Sequence, residues 1–222
     1  MTLDLPLDHL VVLVPDLDAA RIGFADAGFT VTPIARHSAK MGTANACIML
    51  RGTYIELLAI VEDTAANEGW RELLSSGPGL KGMALRSGDL DATAAMLERK
   101  GVIAEPAREF ARPMPQGDLR FSVIRLTRDL APGLQCIYCR HHTPELLWTD
   151  DAMRHANGAV RIVRAAIPGS AALSALATGD AANTPVGDGP EARITIEMQR
   201  PFGDGEAIRR VTGVRLEGIV TA

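Results

Sequence analysis

Aromatic residues make up only 4% of this 222-residue chain. A ligand pocket built from it is expected to be shaped by aliphatic and backbone groups rather than by an aromatic cage. Cysteine is scarce as well. Cys47, Cys136 and Cys139 are an odd number and too few for a disulfide framework, which fits a reducing compartment. Neither sign of charge dominates: 23 basic and 27 acidic side chains leave a net charge of -4. Without a broad basic field for a phosphate backbone, nucleic acid is not expected as the main partner. Apolar runs such as Leu10–Val14 and Leu57–Val61 fall far short of the roughly 20 residues that span a bilayer. The start, MTLDLPLDHL, lacks a basic opening and an apolar stretch ending at a small-residue cleavage site, so no secretory signal is visible. A cytoplasmic protein without a membrane partner is expected. A chain of this size can bury roughly 70% of its unfolded surface, so folding needs neither a disulfide nor a structural metal.

What the chain does contain is an internal repeat. Residues 7 to 30 align without a gap on residues 80 to 103 at an offset of 73 positions. Leu7 meets Leu80, the DLDA of Asp16 to Ala19 meets the DLDA of Asp89 to Ala92, and Gly28 meets Gly101. Each copy reads as a strand, a tight connection and a helix. Leu7 to Val14 is rich in Leu and Val and stops at Pro15, which cannot donate to a ladder. Asp16 and Asp89 are placed to cap a helix, and Gly28 and Gly101 supply left-handed stops.

Extended runs follow the first helix: Phe29 to Ile34, Ala46 to Leu50 and Thr53 to Ile60, the last two joined by Arg51-Gly52 as a hairpin turn. The second helix leads into a Pro-rich loop, Glu105 to Gly117 with Pro106, Pro113 and Pro115. Strands at Leu119 to Leu126 and Leu134 to Cys139 come next, and Val102 to Ala104 is a candidate start for a further one. The fold class is α+β, with two βαβββ modules over residues 1–76 and 77–150. Between them, Ala65 to Leu74 reads as a short helix ending at a Gly-Pro linker. Residues 151–222 read as a third, shortened βαββ unit: a strand at Ala159 to Ile167, a serine-capped helix at Ser170 to Ala177, and strands at Arg193 to Met198 and Val214 to Val220.

The run from His9 to Ala19, H-x-x-x-x-V-P-D-L-D-A, and the closing strand Tyr54-Ile55-Glu56-Leu57 resemble the vicinal oxygen chelate superfamily of glyoxalases, bleomycin-resistance proteins and dioxygenases. Arg36-His37, Gly42 to Asn45, HHTPELLW (His141 to Trp148) and RHANGA (Arg154 to Ala159) resemble its bacterial glyoxalase-like subgroup. The resemblance covers roughly residues 5 to 150. It implies sheets curled into an open cup, in which a divalent metal is commonly held by His and Glu from the first and last strands of the modules. Some members are metal-free binders of small compounds, so fold alone does not choose the chemistry.

Strand alternation puts Leu7, His9, Val11 and Leu13 on one face and Asp8, Leu10, Val12 and Val14 on the other. Tyr54, Glu56, Leu58 and Ile60 share a face of the closing strand. An imidazole and a carboxylate suit Zn, Ni, Mn or Fe(II), and the family pattern places His9 and Glu56 at ligand positions. The other reading is a satisfied histidine and a glutamate paired with arginine. The position equivalent to His9 in the second module is Gly82, which has no side chain to ligate. His141 is the candidate third ligand, with His142, Gln135 and Tyr138 as alternatives. Arg36, His37, Thr43 and Asn45 are candidate substrate contacts at the mouth of the cup, or ordinary turn residues. His141, His142, Glu145 and His155 are expected to satisfy one another at a module junction. Cys136-x-x-Cys139 lies on a strand, where residues three apart face opposite ways, so no redox or zinc role is expected. No glycine-rich segment has phosphate-loop spacing, so no nucleotide cofactor is expected.

These residues lead to an isomerase or lyase of glyoxalase-like type acting on a small carbonyl or vicinal-oxygen substrate by metal Lewis-acid catalysis, with Glu56 as ligand and proton carrier. The alternative is a metal-free binding protein of the same fold. A homodimer is expected.

Overall fold

The computed structural model describes residues 2–114, 116–200 and 205–220. A short strand, β1 (Thr2–Leu5), comes first. The first repeat then runs β2 (Leu7–Leu13), α1 (Leu17–Asp26), β3 (Ala35–Arg36), β4 (Thr43–Leu50) and β5 (Thr53–Ile60). After a single 3-10 turn and α2 (Glu68–Ser75), the second repeat runs β6 (Gly79–Arg86), α3 (Leu90–Arg99), β7 (Arg108–Met114), β8 (Gly117–Arg125) and β9 (Gln135–His141).

The repeated DLDA blocks act alike. The Asp16 carboxylate accepts from the Ala19 amide, and Asp89 accepts from Asp91 and Ala92, which satisfies amides that have no partner within the helix. The two repeats meet through their first strands. β2 and β6 pair antiparallel at the centre of an eight-stranded sheet of order β3-β4-β5-β2-β6-β9-β8-β7, and each first strand also pairs parallel with the last strand of its own repeat. The sheet is strongly curled: Arg112 on the edge strand β7 reaches Asn45 on β4, across the concave face.

Two stretches differ from the sequence reading. Phe29 to Ile34 is not a strand, because its groups are used elsewhere: Phe29 packs edge-on against Phe24, and the Thr30 amide donates to His155 Nδ1 at 3.0 Å. Conversely, most of the Pro-rich stretch is strand β7. Pro113 is tolerated there because β7 is a sheet edge, where a missing amide breaks no inner ladder. Pro115 lies outside the described residues. Ala104 makes an isolated bridge to Leu126.

The carboxyl-terminal part is richer than a βαββ unit. β10 (Ala159–Ala166) leads to a 3-10 segment at Ser170–Leu176, then β11 (Thr184–Gly187), β12 (Arg193–Met198), α4 (Glu206–Thr212) and β13 (Arg215–Val220). The expected serine cap is not made. Gly169, with φ of +80°, precedes the 3-10 segment, and Ser170 Oγ is buried without a hydrogen bond. These strands form a second sheet, β1-β11-β10-β12-β13, whose edge β1 comes from the other end of the chain. One apolar cluster joins the two sheets: Leu3 and Leu5, Leu10 and Val12, Phe24, Ile162 and Ile194 are all buried within it. The concave face of the large sheet is partly filled by α2, whose Trp70 and Leu73 pack on Val11, Leu13 and Leu58. Among the described residues no helix is long and apolar enough to cross a membrane.

His155 fastens this arrangement. Its Nδ1 accepts from the Thr30 amide and its Nε2 donates to the Met49 carbonyl at 2.8 Å, so both ring nitrogens are satisfied by the neutral form alone. Burial lowers its pKa below the ordinary histidine value. The unfolded chain therefore takes up this proton first, and the stability from His155 is complete above about pH 6.5 and is lost as pH falls below it. The thermal midpoint of the wild type is expected to drop by about 2–4 °C more than that of His155→Gln between pH 7 and pH 5, roughly 1 kcal/mol at this chain length. Equal slopes in calorimetry would assign the acid sensitivity to other groups.

Candidate functional site

The pairing of β2 with β6 is interrupted twice, by an extra residue on β2 at Asp8 and by one on β6 at Lys81, and the first of these shapes the site. Leu7 is opposite Leu85 and His9 is opposite Ala84, so Asp8 is bulged out of the ladder. A bulge turns two consecutive side chains toward the same face. Asp8 therefore joins His9 on the concave side, instead of pointing away from it as strict alternation requires. Its carboxylate is fully buried (0% exposed) and accepts from three sides. One oxygen, Oδ1, takes His9 Nδ1 at 2.8 Å and His141 Nε2 at 3.0 Å, and Oδ2 takes Arg86 Nε at 3.0 Å. Burial alone would raise the pKa of Asp8, but the hydrogen bonds from His141 and His9 hold it well below the usual carboxylate range. The His9 ring is stacked on Tyr54 with centroids 4.3 Å apart.

With Nδ1 held by Asp8, the other nitrogen of His9 stands 3.7 Å from Glu56 Oε2. Glu56 projects from β5 two residues beyond Tyr54, on the face the alternation predicted. Its Oε1 accepts from Asn45 Nδ2 at 2.6 Å, and the Asn45 oxygen accepts from Arg112 Nη1 at 3.4 Å. Asn45 and Thr43 lie on the same face of β4, and Thr43 Oγ1 is 2.7 Å from His37 Nδ1. Burial lowers the pKa of His37, with Glu56 opposing and Arg112 assisting. Asn45, Thr43 and His37 are thus brought to the same concavity as His9 and Glu56. Arg36 is not: it is exposed and opposite Ala44, a core-side residue, so it faces away.

His141 enters the network through the same Asp8 oxygen as His9. Its Nε2 is committed to Asp8, with Cys139 Sγ 3.6 Å away, and its Nδ1 is buried without a hydrogen bond. The donor atoms of Asp8, Cys139 and His141 lie within 4.8 Å of one another, a separate group able to hold a metal. His9, Glu56 and His141 therefore do not close on one point as three ligands of one ion. The expected grouping of His141, His142, Glu145 and His155 does not form, because His142 pairs with Ser122 at 2.8 Å and His155 with Met49 and Thr30. The two strand cysteines do face opposite ways. Cys136 is in the core and Cys139 on the concave side, and burial raises the Cys136 pKa to about 12.

Gly82 has a packing reason. A Cβ built on it would meet Trp70 Cη2 at 2.9 Å, Val11 Cβ at 3.0 Å and the Gln135 carbonyl at 3.2 Å. The indole of α2 occupies the space where a ligand of the second module would stand. At the other end of the concavity Trp148 packs on Cys47, Met49 and Tyr54 and donates to the Leu50 carbonyl at 3.0 Å. Asp8, Arg112 and Trp70 are the site residues that reading the sequence missed. Phe110 and Arg112 alternate correctly for a strand face, a signal masked by the prolines around them. Nothing local marks the bulge at Asp8.

The family model described as "Glyoxalase-like domain" matches residues 7–179. No curated protein matches the chain. Among solved structures, a hypothetical protein from Staphylococcus aureus is similar over 96% of this chain and 99% of its own, with 14% identity and a TM-score of 0.71. Methylmalonyl-CoA epimerase from Mycobacterium tuberculosis is 25% identical over 60% of this chain and 86% of its own, with a TM-score of 0.47. A Streptomyces coelicolor methylmalonyl-CoA epimerase variant in complex with 2-nitronate-propionyl-CoA is 25% identical over 62% of this chain and 96% of its own, with a TM-score of 0.45. With the match spanning most of its length and both βαβββ repeats in place, the chain belongs to the glyoxalase-like domain family of the vicinal oxygen chelate superfamily.

Proposed function

We propose that the chain is an enzyme of isomerase or lyase type that acts on a small carbonyl or vicinal-oxygen compound at the His9–Glu56 pair, with a divalent ion held by these two residues. The observation that carries this reading is the buried Asp8 on His9 Nδ1, which leaves the Nε2 lone pair toward Glu56 Oε2 at 3.7 Å, beyond hydrogen-bonding distance. Carboxylate, imidazole and an open nitrogen are the parts of a metal-binding histidine oriented from behind. The donor set suits Zn, Ni, Mn or Fe(II), with water or substrate filling the positions that the second module does not supply.

When bound, such an ion supplies Lewis-acid stabilisation of a developing oxyanion. The remaining work falls to the chain. Glu56 Oε2 takes a proton from the carbon beside the carbonyl and returns it, while Asn45 fixes Oε1 and Arg112 braces Asn45. The His37–Thr43 pair offers hydrogen bonds to substrate oxygens, and Trp70 and Trp148 seal the two ends against water.

Metal analysis of protein purified without an affinity tag for metal tests the reading. About one equivalent of a transition metal is expected, with affinity at least about tenfold weaker in His9→Ala and Glu56→Gln. Less than about 0.1 equivalent, with no binding on titration, would favour the second reading, a metal-free protein that binds a small compound. The Trp70 contact at Gly82 supports that alternative. A cytoplasmic setting is part of the proposal, supported by three buried free thiols. So is a homodimer, which light scattering on the intact protein would test.

A further inference from the structure

Outside the concavity, the two sheets leave a cleft of about 240 Å³ lined by Pro6, Leu7 and the hairpin Arg51-Gly52-Thr53 on one side, and by Arg161, Ile162 and residues 182–184 on the other, with Arg86 at its edge. Three of these residues are arginines, and none of the described lining residues is acidic. That is a local excess of positive charge in a chain whose net charge is -4. Two of the arginines are partly engaged: Arg86 Nε with Asp8 and Nη2 with the Gly52 carbonyl, and Arg161 Nε with Glu197 at 2.6 Å. A guanidinium carries five N–H donors, so both keep donors to spare. Among the described residues, Arg51 is anchored through its backbone, whose amide donates to the Val160 carbonyl at 2.8 Å. Thr53, 6% exposed, turns to the same side of β5 as Ile55 and Leu57, and its hydroxyl is buried without a hydrogen-bond partner. Asn183 gives its amide to Thr178, which leaves its carbonyl oxygen as an acceptor for a protonated or hydroxyl-bearing ligand.

We propose that this cleft is a binding site for a phosphoryl group, held by Arg51, Arg86 and Arg161 with Thr53 Oγ as a further donor. Converging guanidinium forks match the several oxygens of a phosphate better than a single carboxylate does, and a buried idle hydroxyl at the same place is what a missing oxyanion leaves behind. The site is separate from the His9–Glu56 concavity and does not depend on its chemistry. Arg86 touches both, because the guanidinium that lines the cleft also holds Asp8.

Calorimetric titration of the full chain with inorganic phosphate at low salt tests the proposal. One saturable site with a dissociation constant of about 1 mM or tighter is expected. It should weaken by at least about threefold in Arg51→Ala and about tenfold in the Arg51→Ala/Arg161→Ala double variant. Glu56→Gln should bind as the wild type does, which keeps this result distinct from failure of the proposed active site. Arg51 and Arg161 are exposed, so their removal leaves the core intact; unchanged thermal midpoints would confirm it. No saturable heat up to about 20 mM phosphate, or equal binding by the double variant, would overturn the site. Phosphoglycolate compared with glycolate separates the sources. Tighter binding of the phosphorylated acid than of inorganic phosphate assigns the cleft to an organic phosphate, and equal binding assigns it to the free ion.

Discussion

Asp8→Ala is expected to lower the free energy of unfolding by about 3–5 kcal/mol, the range for removing one partner of a buried charged network. The carboxylate has no solvent contact, and its loss strands two buried imidazoles together with one side of Arg86. Arg86 is 46% exposed along its side chain, so water compensates its share, and the cost comes chiefly from the two histidines. Asp8→Asn keeps the shape and one acceptor oxygen and should cost less, about 1.5–3 kcal/mol. The asparagine variant has a second expected effect. With weaker support on Nδ1, any divalent ion on His9 should bind about 10–100-fold less tightly, although no proposed ligand has been altered. Urea unfolding of both variants and metal titration of the asparagine variant check this pair of effects. A cost under about 1 kcal/mol in Asp8→Ala would show that the network does not hold the bulge in place.

Gly82→Ala should destabilise by about 1–3 kcal/mol, although alanine is small and the backbone there does not take a positive φ. The new methyl would stand 2.9 Å from the Trp70 ring and 3.0 Å from Val11. Neither neighbour yields easily: the indole is rigid and packed, and Val11 is fixed in the central strand. In a Trp70→Leu background the same alanine should cost about 1 kcal/mol less, because the two sites are in contact and their effects do not add. Additivity within about 0.5 kcal/mol would mean that the indole is not what excludes a side chain at position 82. The double variant matters for function too. It distinguishes a glycine retained for packing from a module that has merely lost its ligand.

Both expectations turn on contacts that no local pattern announces. The repeat at an offset of 73 positions was readable, and α1 and α3 obey it residue for residue, since an aspartate cap and a glycine stop act within one turn of the chain. The facing of Glu56 was readable as well, from alternation along the regular strand β5, while His9 and Glu56 as a pair were implied by the resemblance of their motifs. Arg36 was a candidate contact only by its place in a loop, and its outward facing is set by β3, a two-residue strand too short to show an alternation of its own. Arg112 was hidden among prolines that only an edge strand tolerates, and being an edge is a property of the whole sheet.

The sequence by itself determined the two βαβββ repeats and the absence of a ligand at Gly82. These follow from caps, stops and period-two alternation, which act between near neighbours. Tertiary structure alone decided that Asp8 backs His9, that Arg112 closes on Asn45, that Trp70 fills the space at Gly82, and that β1 completes the carboxyl-terminal sheet. Each of these joins residues far apart in the chain, or depends on one unpaired residue in a ladder whose partner strand lies more than 70 positions away. The energy that selects such contacts comes from burying charge and apolar surface between elements, and it exists only once those elements have met.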